Sequence, residues 1–199
     1  MYFPKTALLS ARENGLALLR FAKDLHARGW SLYASGGTAR SLEENGLPVT
    51  DTGKWERPKL DTLSYEVRAA LLARLDNTNH LAELHKLDVE PFGLVYIEEM
   101  PPLKGTPEGS VQTLESMTRE LNLPDAEMLL SAIQGHRIVL VRKEQFRFVL
   151  EFIDTYGDMD DEARRKKFLN LATEALVNVG TRLVELGISP WRTTFGKNP

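Results

Sequence analysis

At residues 30–38 the sequence reads Trp-Ser-Leu-Tyr-Ala-Ser-Gly-Gly-Thr, an apolar run followed by a turn of small residues. Trp30 to Ala34 is a mainly apolar run of strand length, and a helix-like segment, Ala39 to Asn45, follows the small-residue turn. Glycines allow positive φ and let backbone N–H groups converge, while the start of a helix adds partial positive charge. The turn Ser35-Gly36-Gly37-Thr38 is therefore either a phosphate cradle or an ordinary glycine-rich turn before a helix.

Strands and helices alternate on both sides of this turn. The predicted strands are Ala7–Ser10, Trp30–Ala34, Pro48–Thr52, Phe92–Ile97 and Arg137–Val141. The predicted helices between them have inward faces made of Leu18, Phe21, Ala22 and Leu25; Val67, Ala70, Leu71 and Leu75; Leu81, Leu84 and Val89; and Val111, Leu114, Thr118 and Leu121. Met100 to Gly109, rich in proline and glycine, predicts a loop. The alternation predicts an α/β fold whose mainly parallel sheet has helices on both faces.

The last third of the chain predicts three further helices. Pro124 is expected near the start of the first, which Gly135 ends, and the second spans Glu144 to Tyr156. The third is long, ends at Gly187 and Pro190, and has an inward face of Phe168, Leu171, Ala175, Val179 and Leu183. We predict a domain over residues 1–157 and a helical extension over 158–199, packed on the same domain or on a partner subunit.

Composition excludes several classes of function. The chain of 199 residues has 25 basic and 28 acidic residues, a net charge of −3, so no nucleic acid or membrane partner is expected. It has no cysteine, which excludes disulfides, thiolate zinc sites and cysteine nucleophiles. No apolar segment reaches membrane-spanning length, and histidines lack partners at metal-ligand spacing. We expect a soluble cytoplasmic protein without a metal or cofactor.

Three longer motifs carry a family resemblance. They are Ala34-Ser35-Gly36-Gly37-Thr38-Ala39-Arg40, Gly46-Leu47-Pro48-Val49-Thr50-Asp51 and Glu90-Pro91-Phe92-Gly93-Leu94-Val95. Over about residues 5 to 155 the chain resembles the IMP cyclohydrolase domain of the bifunctional purine biosynthesis enzyme that also carries an AICAR formyltransferase. The resemblance implies a methylglyoxal-synthase-like three-layer sandwich, a homodimer, and a pocket for the 5′-phosphate of a purine ribonucleotide. The formyltransferase half has no counterpart in this sequence.

The resemblance also implies a set of phosphate-binding residues. These are Ser10, Ser35, Gly36, Gly37, Thr38 and Thr62. Two basic residues in neighbouring loops, Arg12 and Lys59, are the candidates to add positive charge, and the alternative is that both are solvated surface cations.

This chain departs from the family at four positions where ring closure needs charged or hydrogen-bonding groups. In this chain Asp61 replaces a family lysine, Met100 replaces the tyrosine of the family's Asn-Leu-Tyr-Pro-Phe motif, Asn122 replaces an aspartate and Gln134 replaces a lysine. Three further residues are candidates for the pocket. His136 stands at the position of a family histidine, and Glu98 and Glu99 are either a new general base or solvated loop carboxylates.

Three functional readings follow from the sequence. The first is a catalytically degenerate paralogue that binds a purine ribonucleotide, or another phosphorylated small molecule, in a regulatory role. The second is an active IMP cyclohydrolase, a hydrolase of the cyclic amidine class, which closes the ring of formylated AICAR to give IMP and water. The third is a structural domain that assembles through its long terminal helix without a ligand.

Overall fold

The structure, a computed structural model, describes residues 4–55, 63–99 and 123–194. Within these ranges the strands are β1 (Thr6–Ser10), β2 (Ser31–Ala34), β3 (Val49–Asp51), β4 (Leu94–Ile97) and β5 (Ile138–Leu140). The α-helices are α1 (Leu16–Ala27), α2 (Gly36–Glu44), α3 (Tyr65–Leu72), α4 (Thr78–Lys86), α5 (Leu123–Gln134), α6 (Gln145–Thr155) and α7 (Asp161–Thr194). Short 3-10 helices span Thr52–Lys54 and Tyr156–Asp158. The predicted loop from Met100 and the predicted helix from Val111 lie outside the described residues.

The five strands form one parallel sheet in the order β3-β2-β1-β4-β5. In its centre, Leu8 pairs with Tyr33 on one side and Val95 on the other. Successive side chains of a strand point to opposite faces of the sheet. Because helices cover both faces, each face forms a buried layer. The predicted α/β class with a parallel sheet is confirmed.

Each face of the sheet has its own apolar layer. Leu9 and Tyr96 lie in the layer that contains α1 and α6, whereas Leu8 and Val95 lie in the layer that contains α3 and α5. In the first layer, the rings of Phe21 in α1 and Phe146 in α6 stack at 4.0 Å between centroids. The sheet is thus the middle layer of a three-layer sandwich.

Helix α1 follows its sequence pattern closely. Its buried residues are the four that the spacing predicted, Leu18, Phe21, Ala22 and Leu25. Helices α3 and α4 end earlier than predicted, at Leu72 and Lys86, so that Leu75 and Val89 follow the helices instead of lying in them. Helix ends depend on local capping as well as on apolar spacing, which makes them the least predictable part of an element.

Helix α7 joins the two layers. Leu171 packs in the layer of α1, Ala175 and Val179 pack in the layer of α3, and the helix runs along β5 between them. Two details of the prediction are wrong. First, Leu183 was expected on the inward face but is 51% exposed. The inward position after Val179 is taken by Arg182, which is only 8% exposed.

The second error concerns the end of α7. The helix continues past Gly187 and Pro190 to Thr194. A proline inside a helix removes one backbone hydrogen bond and leaves those of the neighbouring residues in place, so it does not always end the helix. The division of the chain between residues 157 and 158 stays a prediction.

A buried arginine and a glycine fasten α3 to the start of β5. The Arg137 guanidinium donates to the carbonyl oxygens of Leu71 (3.0 Å), Ala70 (3.2 Å) and Ala73, which have no partner within the helix because they lie at its end. Burial lowers the pKa of Arg137 to about 10. Gly135 lies so close to α3 that a Cβ there would be 1.8 Å from the Leu71 oxygen.

None of the helices in the described ranges combines the length and the apolar composition that crossing a bilayer requires.

We predict that Gly135→Ala destabilises the fold. The added methyl would collide with the backbone of α3, which can move only if Arg137 loses its acceptors, so we expect a cost of about 2 kcal/mol or more. Urea unfolding measures this change in the free energy of unfolding.

The matched control is Gly180→Ala in α7, where a Cβ would meet no atom within 4 Å. Because alanine is the better helix former, this variant should gain about 0.5–1 kcal/mol. Equal stabilities for the two variants would contradict the close approach at Gly135.

Candidate functional site

The order of the strands reverses beside β1. The chain passes from β1 to β2 and β3 on one side and then crosses to β4 and β5 on the other. In open parallel sheets, the crevice at such a reversal, outside the carboxyl ends of the strands, is where ligands bind. Here that edge holds the residues after Ser10, Ala34 and Ile97.

Thr38 fastens the start of α2 to the loop after β1. Its hydroxyl accepts from the N–H of Ala11 and donates to the carbonyl oxygen of the same residue, both at 3.1 Å. The Thr38 side chain is 3% exposed. Both capacities of this hydroxyl are used within the protein, so Thr38 positions the loop.

The N-terminus of α2 itself is open. Gly36 has a φ of +58°, a conformation that glycine adopts without strain, and Gly36 and Gly37 are exposed. Ser35 stands at the N-cap but makes no side-chain capping bond. The first N–H groups of a helix have no acceptor in the helix itself, so these groups point, with the positive end of the helix dipole, toward the edge of the sheet.

Glu98 is the most tightly held carboxylate of this edge. One of its oxygens accepts from the N–H groups of Arg12 (2.7 Å) and Glu13 (2.8 Å), and the other lies 2.9 Å from the Lys143 ammonium. Burial would raise the pKa of Glu98, but the two N–H groups and Lys143 outweigh it and hold the pKa below its ordinary value. Glu98 is therefore ionised at neutral pH, and its lowered pKa makes it a weak general base, since the best catalytic pKa lies near the operating pH.

Two basic side chains at this edge are already paired. The Arg12 guanidinium lies 3.3 Å from the Asp125 carboxylate at the start of α5. Lys143 also lies 3.3 Å from Glu13, and its hydrogen bonds to Glu98 and Glu13 raise its pKa. Each of these two cations therefore faces a carboxylate.

A cleft of about 590 Å³ adjoins Glu98 on the side of β4, β5 and α7. Tyr96, Glu99, Lys143, Asn178 and Arg182 line it. The Asn178 amide donates to the Glu99 carboxylate at 3.1 Å, which ties the end of β4 to α7.

The structure separates His136 from the other candidate pocket residues. His136 and Gln134 come just before β5, and in a parallel sheet this places them at the amino edge, opposite the edge that holds Glu98 and Glu99. His136 is exposed and has a φ of +59°. The pKa of Asp76 is lowered mainly by the hydrogen bond from Arg74, and the charge of His136 lowers it further. The predicted grouping of His136 with Glu98 and Glu99 does not agree with this topology.

Several predicted positions lie outside the described residues. They are Lys59, Asp61, Thr62, Met100 and Asn122. Ser10, at the end of β1, accepts from the N–H of Glu98 through its backbone oxygen at 3.0 Å.

Lys143 and Asp125 are site residues that the sequence analysis missed. Lys143 is the second residue after the predicted strand Arg137–Val141, a position that a parallel sheet places at the carboxyl edge. This position after a predicted strand could have identified Lys143 as a site residue. Asp125 lies in the first turn of α5, and its contact with Arg12 depends on a packing that no local pattern encodes.

Within the described residues, no three histidine, aspartate or glutamate side chains are grouped as metal ligands.

Comparison with known families agrees with this architecture. The MGS-like domain model matches residues 17–124, more than half of the chain. The chain belongs to the MGS-like domain family. The matched range includes α2 with its open N-terminus and the end of β4, whereas the loop after β1 and Lys143, which complete the crevice, lie outside it.

The curated relatives that resemble this chain are purine biosynthesis proteins. The bifunctional purine biosynthesis protein PurH of Rhodopirellula baltica is 29% identical over 179 residues, which are 86% of this chain and 33% of the relative. PurH of Lysinibacillus sphaericus is 28% identical over 81% of this chain and 33% of the relative. The chain spans about a third of the length of these relatives.

A solved structure shares the fold. The crystal structure of ForH superposes with a TM-score of 0.74 at 21% identity and covers 93% of this chain and 97% of that one. Its near-complete coverage shows that the sandwich and the helices after it recur together as one fold.

We predict that the contacts of Glu98 persist down to acid pH. Because its pKa is lowered in the folded state, Glu98 stabilises the fold above its ordinary pKa of 4.5, and this contribution is lost as pH falls through the lower folded value. The amide NMR signals of Arg12 and Glu13 should stay constant as pH falls from neutral to 4.5 and should shift together only below pH 4.5.

In Glu98→Gln the shared transition of these two signals should vanish. A transition at or above pH 4.5 in the unmodified protein would show that the carboxylate is not held as described.

Proposed function

We propose that this MGS-like domain binds a phosphorylated, purine-ribonucleotide-like ligand at the carboxyl edge of its sheet, in a binding or regulatory role without ring-closing chemistry. The uncapped N-terminus of α2 at Ser35 to Thr38, beside the strand-order reversal, carries the proposal. Uncapped N–H groups and a helix dipole favour an anion such as phosphate. The similarity to PurH favours a purine ribonucleotide as its bearer.

The neighbouring cleft supports a ligand larger than phosphate. Its volume of about 590 Å³ lies in the range of small-molecule sites, roughly 300–1,000 Å³. Tyr96 lines it, and burial raises the pKa of this phenol, which keeps the hydroxyl protonated. Within the described part of the chain this fully buried hydroxyl has no hydrogen-bond partner.

The surroundings of the candidate acid and base groups support binding over catalysis. Glu98 is ion-paired with a lowered pKa, Glu99 is bonded to Asn178, and His136 lies at the opposite edge of the sheet. The structure thus presents donors for an anion more clearly than groups that move protons.

We predict that Ser35→Asp abolishes the preference for a phosphorylated ligand. A carboxylate at the N-cap would accept from the open N–H groups and repel phosphate, while stabilising α2 by about 0.5–1 kcal/mol. Calorimetry with IMP and with inosine should show tighter binding of the nucleotide by the unmodified protein, and thermal unfolding should show that the variant remains folded.

The matched control is Asn77→Asp, which adds the same charge at the N-cap of α4, where a side-chain cap already exists. It should bind IMP like the unmodified protein. Equal affinity of the unmodified protein for IMP and inosine would overturn the proposed phosphate site.

An ultraviolet assay for ring closure of formylated AICAR decides between binding and activity. We expect no turnover above the uncatalysed rate. Turnover that Ser35→Asp abolishes would establish the alternative, an active IMP cyclohydrolase of the kind that the relatives' purine role favours.

One observation favours assembly as a second candidate role. The outer face of α7 exposes Leu169, Leu176 and Leu183, seven residues apart, at 64%, 47% and 51%. Val177 and Val184 extend this stripe. Two copies of the helix related by a two-fold axis through Leu176 would match leucine to leucine, so a second copy of this chain is the proposed occupant.

We predict that Leu176→Asp shifts a dimer to monomer in sedimentation equilibrium, because the charge would be buried at the centre of the interface. The control is Leu16→Asp, a leucine of 72% exposure on α1, which should leave the association unchanged. A monomeric unmodified protein at all concentrations would exclude this role.

A further inference from the structure

Three consecutive N–H groups after β1 point to side-chain oxygens. The N–H of Ala11 donates to Thr38, and those of Arg12 and Glu13 both donate to one oxygen of Glu98, at 2.7 and 2.8 Å. The Lys143 ammonium lies 2.9 Å from the other Glu98 oxygen. Two N–H groups and an ammonium thus converge on a single carboxylate.

This donor set has the chemistry of an oxyanion site. Adjacent backbone N–H groups that point to one place form a concave surface that binds anions, and the ammonium adds a full positive charge. A carboxylate, sulfate or phosphate oxygen would satisfy the same groups. In this chain the anion is supplied by the protein itself.

Glu98 holds this place from the strand next to β1. It follows β4 directly, and its backbone N–H bonds to Ser10 at the end of β1 while its side chain reaches the loop after β1. Its side chain is 13% exposed and Lys143 is 32% exposed, so the contact lies just below the surface and solvent reaches its rim. An anion from solution would meet a negative charge at the rim.

We propose that Glu98 is a built-in competitor that fills the oxyanion site after β1, so that the protein accepts a ligand anion only at α2. Removing its carboxylate would leave the N–H groups of Arg12 and Glu13 without their acceptor and the Lys143 ammonium with Glu13 as its remaining partner, so a second oxyanion could take the place of Glu98. The proposal rests on the proposed function, because it assumes that the phosphate of the ligand binds at the N-terminus of α2. It deepens that function by assigning specificity for a ligand with one anionic group over one with two.

Inorganic sulfate tests the proposal without reference to any nucleotide. We expect the amide NMR signals of Arg12 and Glu13 to respond weakly to sulfate in the unmodified protein and to shift in a saturable way in Glu98→Ala. The apparent affinity at these two amides should rise by about tenfold or more, because a repelling charge is replaced by free donors.

The control is Glu99→Ala, which removes the same charge one residue away, where the carboxylate is bonded to Asn178 and not to the loop. Its Arg12 and Glu13 amides should respond to sulfate as in the unmodified protein. An equal response in Glu98→Ala and Glu99→Ala would reduce the effect to general charge and overturn the proposal.

Glu98→Gln guards against a loss of fold in the alanine variant. Glutamine keeps an acceptor for the two N–H groups but carries no charge, so sulfate should displace it more readily than it displaces Glu98. Unresponsive Arg12 and Glu13 amides in a folded Glu98→Ala or Glu98→Gln protein would refute the proposal.

The outcome separates from that of the proposed function. The IMP and inosine comparison concerns α2 in the unmodified protein, whereas the sulfate titration concerns the loop after β1 in the variants. A sulfate response without nucleotide preference would leave Glu98 as the occupant of an oxyanion site and reject the proposed ligand.

Discussion

The structure of the carboxyl edge of the sheet depends on the need of backbone N–H groups for hydrogen-bond acceptors. Where the strand order reverses beside β1, the N–H groups that follow the strand have no neighbouring strand to pair with, and such groups must find other acceptors. Thr38 from α2 and Glu98 from β4 supply those acceptors. The same two side chains hold together the ends of the three central strands, so the shape of the crevice follows from satisfying three hydrogen-bond donors.

The sequence predicted the fold well because its signals were local. The apolar spacing in α1 and the alternation of short apolar runs with helical patterns both survive in the structure. The small-residue turn was placed correctly at the end of β2 and the start of α2, since glycines and a helix start lie next to each other in the chain. Helix ends were less predictable, as α7 shows by continuing through Pro190.

The arrangement of the candidate site was harder to predict because it joins residues far apart in the chain. Glu98 and Lys143 meet only because β4 and β5 are neighbours with the same direction. His136 and Glu98 looked like partners in one pocket, yet the parallel direction of the strands sends them to opposite edges. Strand order brought Glu98 and Lys143 together, whereas strand direction separated His136 from Glu98.

Helix α7 has a consequence for how the sheet behaves in a crowded solution. An uncovered edge strand offers unpaired backbone groups to which the strand of another molecule can add. Because α7 runs along β5, that border of the sheet is covered, and β3 at the opposite border is only three residues long. The helix that joins the two apolar layers therefore also hinders the addition of further strands at β5, the step by which a sheet would extend into a fibril.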